Sequence, residues 1–178
     1  MGIPTLISTS TASDSSSIDI TSGIDSTYDE YMFVFTDVNP VTDDMEFTFQ
    51  VNAVGGSGYN ETITSTYFRC LHDEADSQTG LAYGTADDQA QGTAFQAVAD
   101  AIGNGADESC AGILHLFNPS STTYVKHFYS RVQMYHLDDM SIERNAAGYI
   151  NTTAAIDEIS FKMTSGNFDG VIQMYGIS

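Results

Sequence analysis

The sequence predicts an all-β chain: an antiparallel β-sandwich of the jelly-roll kind with one short helix in a loop. Three observations carry this. Residues 45–52 alternate strictly, with Met45, Phe47, Phe49 and Val51 apolar and Glu46, Thr48, Gln50 and Asn52 polar; a period of two is one dry face and one wet face of a strand. Eight or so such runs are separated by turn-forming residues, as sandwiches require. Only one stretch, at about 94–102, has apolar residues at helical spacing.

In chain order, residues 1–17 are Ser- and Thr-rich, with Ile3, Leu6 and Ile7 as the large apolar groups. This segment reads as an extended arm, or as an edge strand that orders against a partner, and residues 18–178 read as a single sandwich domain. Tyr31-Met32-Phe33-Val34-Phe35 is wholly apolar, the pattern of a strand buried on both sides. It is followed by the turn signal Asn39-Pro40. After the 45–52 strand comes Gly55-Gly56-Ser57-Gly58, a loop tip, and then a strand from Tyr59 to Cys70 carrying Ile63, Tyr67 and Phe68.

Residues 71–92 are acidic and Gly-punctuated, and read as loop. Thr93-Ala94-Phe95-Gln96 matches a capping box. With Phe95, Val98, Ala99 and Ile102 behind it and Gly103-Asn104-Gly105 as a stop, it predicts the helix. Strands resume at 113–117 and at 124–135. Ile159, Phe161 and Met163 alternate with polar neighbours, and Gly166-Asn167 precedes Phe168–Ile177; these last two strands read as a C-terminal hairpin.

Composition excludes whole classes of function. Of 178 residues, 24 are Asp or Glu and five are Lys or Arg, a net charge of −19. Five cations cannot neutralise a run of phosphates, so no nucleic-acid partner is expected. No apolar run approaches the roughly 20 residues of a membrane helix, and the N-terminus lacks a signal peptide's pattern; no membrane partner is expected. Hydrophobic residues make up 42% of the chain, enough to fold despite the acidity.

The motifs of catalysis and cofactor binding are missing, so no catalytic, cofactor-binding or metal-ligating residue is assigned and no enzyme activity is expected. His72, His115, His127 and His136 show no paired metal-ligand spacing, and His115, between Leu114 and Leu116, reads as a hydrogen-bonded strand residue. The carboxylates of Asp73-Glu74-x-Asp76, Asp87-Asp88 and Asp138-Asp139 lack the spacing of a calcium loop and read as solvated turns. Cys70 and Cys110 read as packing residues whose pairing the sequence leaves open. Ten tyrosines are more than a core needs, which points to an interface. Exposed Tyr and Met gathered in one patch would mark that surface.

Two stretches, read together, carry a resemblance. One runs Ile18-Asp19-Ile20-Thr21-Ser22-Gly23-Ile24-Asp25-Ser26-Thr27-Tyr28-Asp29-Glu30-Tyr31 and on through Asn39-Pro40-Val41-Thr42-Asp43-Asp44. The other is the ending, Ile159-Ser160-Phe161 and then Gly166-Asn167-Phe168-Asp169-Gly170-Val171-Ile172-Gln173-Met174-Tyr175-Gly176-Ile177. The pairing resembles small jelly-roll virion structural proteins of tailed bacteriophages, especially marine and cyanobacterial phages. That resemblance implies a capsid decoration, or cement, protein on the outer surface of the virion. It would be made in the host cytoplasm, with the major capsid protein and copies of itself, a trimer favoured, as partners. The alternatives are a host-glycan-binding module of a tail fibre or spike, or a minor tail or neck component. With no stalk in the chain, decoration is the leading expectation.

Overall fold

A computed structural model describes residues 2–178, and over them the chain is all-β. Thirteen strands follow one another: β1 (Thr5–Ser15), β2 (Ile18–Ile20), β3 (Glu30–Pro40), β4 (Met45–Ala53), β5 (Ile63–Asp73), β6 (Thr79–Tyr83), β7 (Ala90–Gly92), β8 (Gln96–Ile102), β9 (Cys110–Phe117), β10 (Lys126–His136), β11 (Met140–Ile150), β12 (Ile156–Met163) and β13 (Phe168–Ile177). Every pairing is antiparallel.

The pairing makes two layers. The larger runs β1-β13-β3-β9-β10 and continues through β11 to β5, which carries β6 and β7 at its far edge; the smaller runs β2-β12-β4-β8. A single residue pair, His136 with Ile102, joins β10 to β8 and nearly closes the sandwich. The order follows one rule. Each of the pairs β1–β2, β12–β13, β3–β4 and β8–β9 crosses from one layer to the other, and the four lie side by side in the same sequence in both layers. Paired strands wound together in this way give the jelly-roll character, and β10, β11, β5, β6 and β7 extend the larger layer beyond it.

All four crossings occur at one end, and polar side chains tie them in a row. Asn167 Nδ2 donates to the Asp14 carbonyl at 2.9 Å, Val41 N–H to the Asn167 carbonyl at 2.9 Å, and Asn104 Nδ2 to the Val41 carbonyl at 3.2 Å. Just inside this seam the register of the larger layer slips at neighbouring points of β1, β13 and β3. Asp14, Asp37 and Gly170 have positive φ there. Bulges of this kind bend strands toward a turn. Gly170 has φ +144°, and a Cβ on it would meet Val38 Cα at 2.9 Å, so the close approach of β13 to β3 needs glycine.

Between the layers lies an aromatic core. Phe33 and Phe35 of β3 and Phe168 of β13 face Phe47 of β4 and Phe161 of β12, with ring centroids 5.1 to 6.0 Å apart. Phe128 of β10 meets Phe49 of β4 at 5.1 Å. At the end opposite the seam, the buried Lys126 ammonium donates to the carbonyls of Tyr124 and Thr152, holding two loops together.

Several expectations are corrected. The segment predicted as a helix is strand: Gln96–Ile102 is β8, paired with β4. Gln96 does not cap anything; its buried side chain accepts from Ser65 Oγ and donates to the carbonyls of Asp87 and Ala97. Four consecutive buried residues, Gln96 to Ala99, satisfy a helical and a strand pattern equally. The predicted C-terminal hairpin is absent, because residues 164–167 form a crossing: β12 pairs with β4 and β2, and β13 with β3 and β1. The acidic stretch 71–92 contains the end of β5 and all of β6 and β7. Of the run 31–35, Tyr31, Phe33 and Phe35 are buried, while Met32 and Val34 are half-exposed on the bare outer face. Within the arm 1–17, β1 pairs with β13 at the edge of the larger layer; Met1 lies outside the described residues.

Phe161 is fully buried and touches Phe33, Phe35 and Phe47 from both layers. Phe161→Ala is expected to cost about 3–5 kcal/mol of unfolding free energy, read by urea denaturation.

Candidate functional site

Three places depart from the plain economy of a sandwich. The first is a buried charged cluster where β8 meets β11 and β5. The Arg144 guanidinium, 1% exposed, makes an ion-pair contact with Asp100 and lies 5.4 Å from the centroid of the buried Tyr67 ring. The two charges meet without an aligned hydrogen bond, and Tyr67 Oη and Arg144 Nε are also unpartnered. Desolvation, reinforced by Asp87, raises the Asp100 pKa, and Arg144, with smaller help from Arg69 and His136, only partly offsets it. Glu46 is raised by desolvation first and then by Asp87 and Asp100. Burial is thus the first cause of both shifts, with neighbouring carboxylate charge adding to it and Arg144 opposing it.

The second is a pocket of about 320 Å³ on the outer face of the larger layer, lined by Gly2, Pro4, Met32, Phe117, Tyr129 and Ile177 together with Glu30 and His115. The Tyr129 ring stacks on His115 at 4.5 Å and on Phe117 at 5.7 Å. His115, expected as a hydrogen-bonded strand residue, has its Nδ1 against the Glu30 carboxylate.

The third is a wing. β5 and β6 extend the larger layer, and every residue of β6 is exposed. Cross-strand pairing sets Phe68 against Tyr83, Cys70 against Leu81 and His72 against Thr79, so these side chains share one face. Leu81 is 76% exposed, Tyr83 51% and Phe68 43%. Carboxylates border the patch: Glu74 and Asp76 in the turn between β5 and β6, and Asp88 after β6. Tyr83 Oη donates to Asp88 at 2.6 Å.

The remaining sequence candidates are dispersed. Asp73 accepts from the backbone N–H groups of Ser77 and Gln78 at 2.8 Å, closing the β5–β6 turn, and Asp139 accepts from Tyr135 Oη at 3.0 Å. His72 pairs with exposed Asp76 at 3.2 Å, and His136 Nδ1 accepts from the Asp138 N–H. Among the described residues, no three His, Cys, Asp or Glu side chains converge as metal ligands. Both cysteines are free: Cys70 is exposed, and Cys110 is buried with its thiol pushed up to about 12 by desolvation. The exposed tyrosines are spread over three places, Tyr83 on the wing, Tyr129 at the pocket and Tyr124 in a loop. The methionines among the described residues are buried or half-buried, so the expected patch of Tyr and Met does not form, and that scatter counts against the assembly expectation; the one apolar cluster on the wing is made of Phe, Leu and Tyr.

The sequence reading did not single out Arg144, Asp100, Leu81 or the Phe68–Tyr83 pair. Phe68-x-Cys70 and Leu81-x-Tyr83 do alternate, but the second lies within a stretch whose acidity and glycines read as loop. The sequence matches no protein-family model and no curated protein.

Two outcomes follow from the buried cluster. Raised carboxylate pKa values mean that the folded state binds protons more tightly than the unfolded chain, so stability increases as pH falls through the folded-state pKa values of Asp100 and Glu46 toward the ordinary carboxylate range. The carboxyls of Asp25, Asp73 and Glu143 are held low by hydrogen bonds from Thr27, from Ser77 and from Arg131 respectively. Their contribution is lost at lower pH still, as pH falls through their folded-state pKa values. Thermal melts across pH should therefore peak on the acidic side of neutrality, with a flatter slope in Glu46→Gln. In chemical denaturation, Arg144→Met alone should cost about 3–5 kcal/mol by stranding Asp100, and adding Asp100→Leu should restore most of it.

Proposed function

We propose that this chain is a structural protein of a tailed-phage virion, most specifically a decoration protein that binds the outside of the capsid shell and strengthens it. One observation carries the assembly reading: Phe68, Leu81 and Tyr83 stand exposed together, in register, on the outer face of the β5–β6 pair at the edge of the larger layer. Contiguous apolar groups rimmed by polar residues are what a docking surface needs. A cross-braced aromatic core and a row of tied turns suit a protein whose task is to resist deformation. The net charge of −19 would keep particles apart and repel stray nucleic acid. The partners in this reading are the major capsid protein and further copies of the chain, a trimer favoured.

A second reading, a glycan-binding module of a fibre or spike, is favoured by one feature, the pocket with stacked His115, Tyr129 and Phe117 beside Glu30. An aromatic wall with a carboxylate acceptor is the chemistry that holds a neutral sugar ring.

Quantitative mass spectrometry of purified particles separates the readings. A decoration protein is expected in hundreds of copies, in simple ratio to the shell protein. A handful of copies would point to tail or neck, and absence from the particle would overturn the virion reading.

A further inference from the structure

We propose that the free edge of β6 is a docking site for an extended segment of a different protein, one with apolar side chains flanked by Lys or Arg, which adds to the wing as a further strand. The inference rests on the assembly reading and gives the partner's chemistry.

Four observations converge. β6 pairs with β5 on one side only, so its other edge offers unpaired backbone N–H and C=O groups. Natural sheets protect such edges with charge, proline or a covering element, yet Thr79-Gly80-Leu81-Ala82-Tyr83 is uncharged and exposed throughout. The face beside that edge carries Phe68, Leu81 and Tyr83, which supply the apolar contacts that strand addition uses for specificity. Both ends of the strand meet carboxylates, Glu74 and Asp76 at one and Asp88, bonded to Tyr83 Oη, at the other.

Charge decides the occupant. A second copy would bring its own carboxylates and, among the described residues, has no Lys or Arg free to set against them. Lys126 and Arg144 are buried, Arg131 is paired with Glu143 at 2.7 Å, and the Lys162 ammonium sits 4.1 Å from the centroid of the Phe95 ring. Arg69, the fifth, is half-buried and alternates with Phe68 and Cys70, which places it on the opposite face of β5. A partner with a basic rim meets complementary charge at both ends of β6.

The test uses the full chain and amide NMR spectra. The probe is a blocked peptide with a Val-Thr-Val-Thr-Val core and two lysines at each end; controls replace the lysines with glutamates, or the central valine with proline. The expected result is chemical-shift change confined to Thr79–Tyr83 and Phe68–His72, absent with the glutamate peptide and with the proline peptide. Binding to Leu81→Lys should be at least about tenfold weaker, and binding to Thr9→Lys, on the opposite edge strand, unchanged. Leu81 is exposed, so a preserved spectrum in its variant separates lost binding from lost fold. The proposal is overturned by no binding, by shifts centred elsewhere, or by equal binding of the proline peptide, which would mean charge attraction alone. Particle copy number is an independent readout. A wing that binds the probe in a protein absent from particles would overturn the virion reading and leave the docking site standing. A protein abundant on particles whose wing ignores the probe would overturn the docking site alone.

Discussion

Four strand pairs must pass from one layer to the other at the same end of the molecule, and the rest of the structure follows from that constraint. If the crossings did not lie side by side, β12 could not stack over β3 and β13, and Phe161 would have no reason to meet Phe33 and Phe35. The bulges at Asp14, Asp37 and Gly170 are the local cost of bending three adjacent strands toward the seam. Asn167, Asn104 and the Val41 backbone then satisfy polar groups that a row of tight turns leaves over. Sheet order, core and turn chemistry are one solution seen at three scales.

The same physics explains what could and could not be read from the sequence. Strands whose apolar and polar residues alternate, such as 45–51 and 159–163, announce themselves in sequence, although the expected wet face is itself covered: Thr48, Gln50 and Ser160 are buried. β8 does not, since Ala97, Val98 and Ala99 are apolar in succession and carry no alternation, and only pairing with β4 decides the conformation. The reading of β12 and β13 failed for another reason. A short polar connection between two alternating strands is the signature of a hairpin, and nothing local distinguishes it from a turn that changes layers. β6 was hidden by composition, because five residues exposed on both faces carry no burial pattern at all.

Charge follows a similar division. Net acidity is plain from composition, but the disposition of the few cations is a tertiary fact. Lys126 and Arg144 are buried against carbonyls and an aspartate, where such residues are rarely found. Committing two of five cations to the interior leaves the outer surface more uniformly negative than the formal charge conveys. The apolar wing and the aromatic pocket stand out against that background because each sets exposed apolar and aromatic side chains directly beside a carboxylate, Asp88 at the wing and Glu30 at the pocket.

β1 and β13 are antiparallel neighbours, and the N-terminal residues lie beside the C-terminal Ile177 and Ser178. Tension applied through the two ends would therefore open the β1–β13 ladder one rung at a time, as a zip opens, with little force needed at any moment. Load entering through the long strands β5, β10 and β11 would instead have to slide whole ladders past one another, with many hydrogen bonds strained at once. The molecule is mechanically anisotropic: soft when peeled from its termini and stiff when sheared through its broad face.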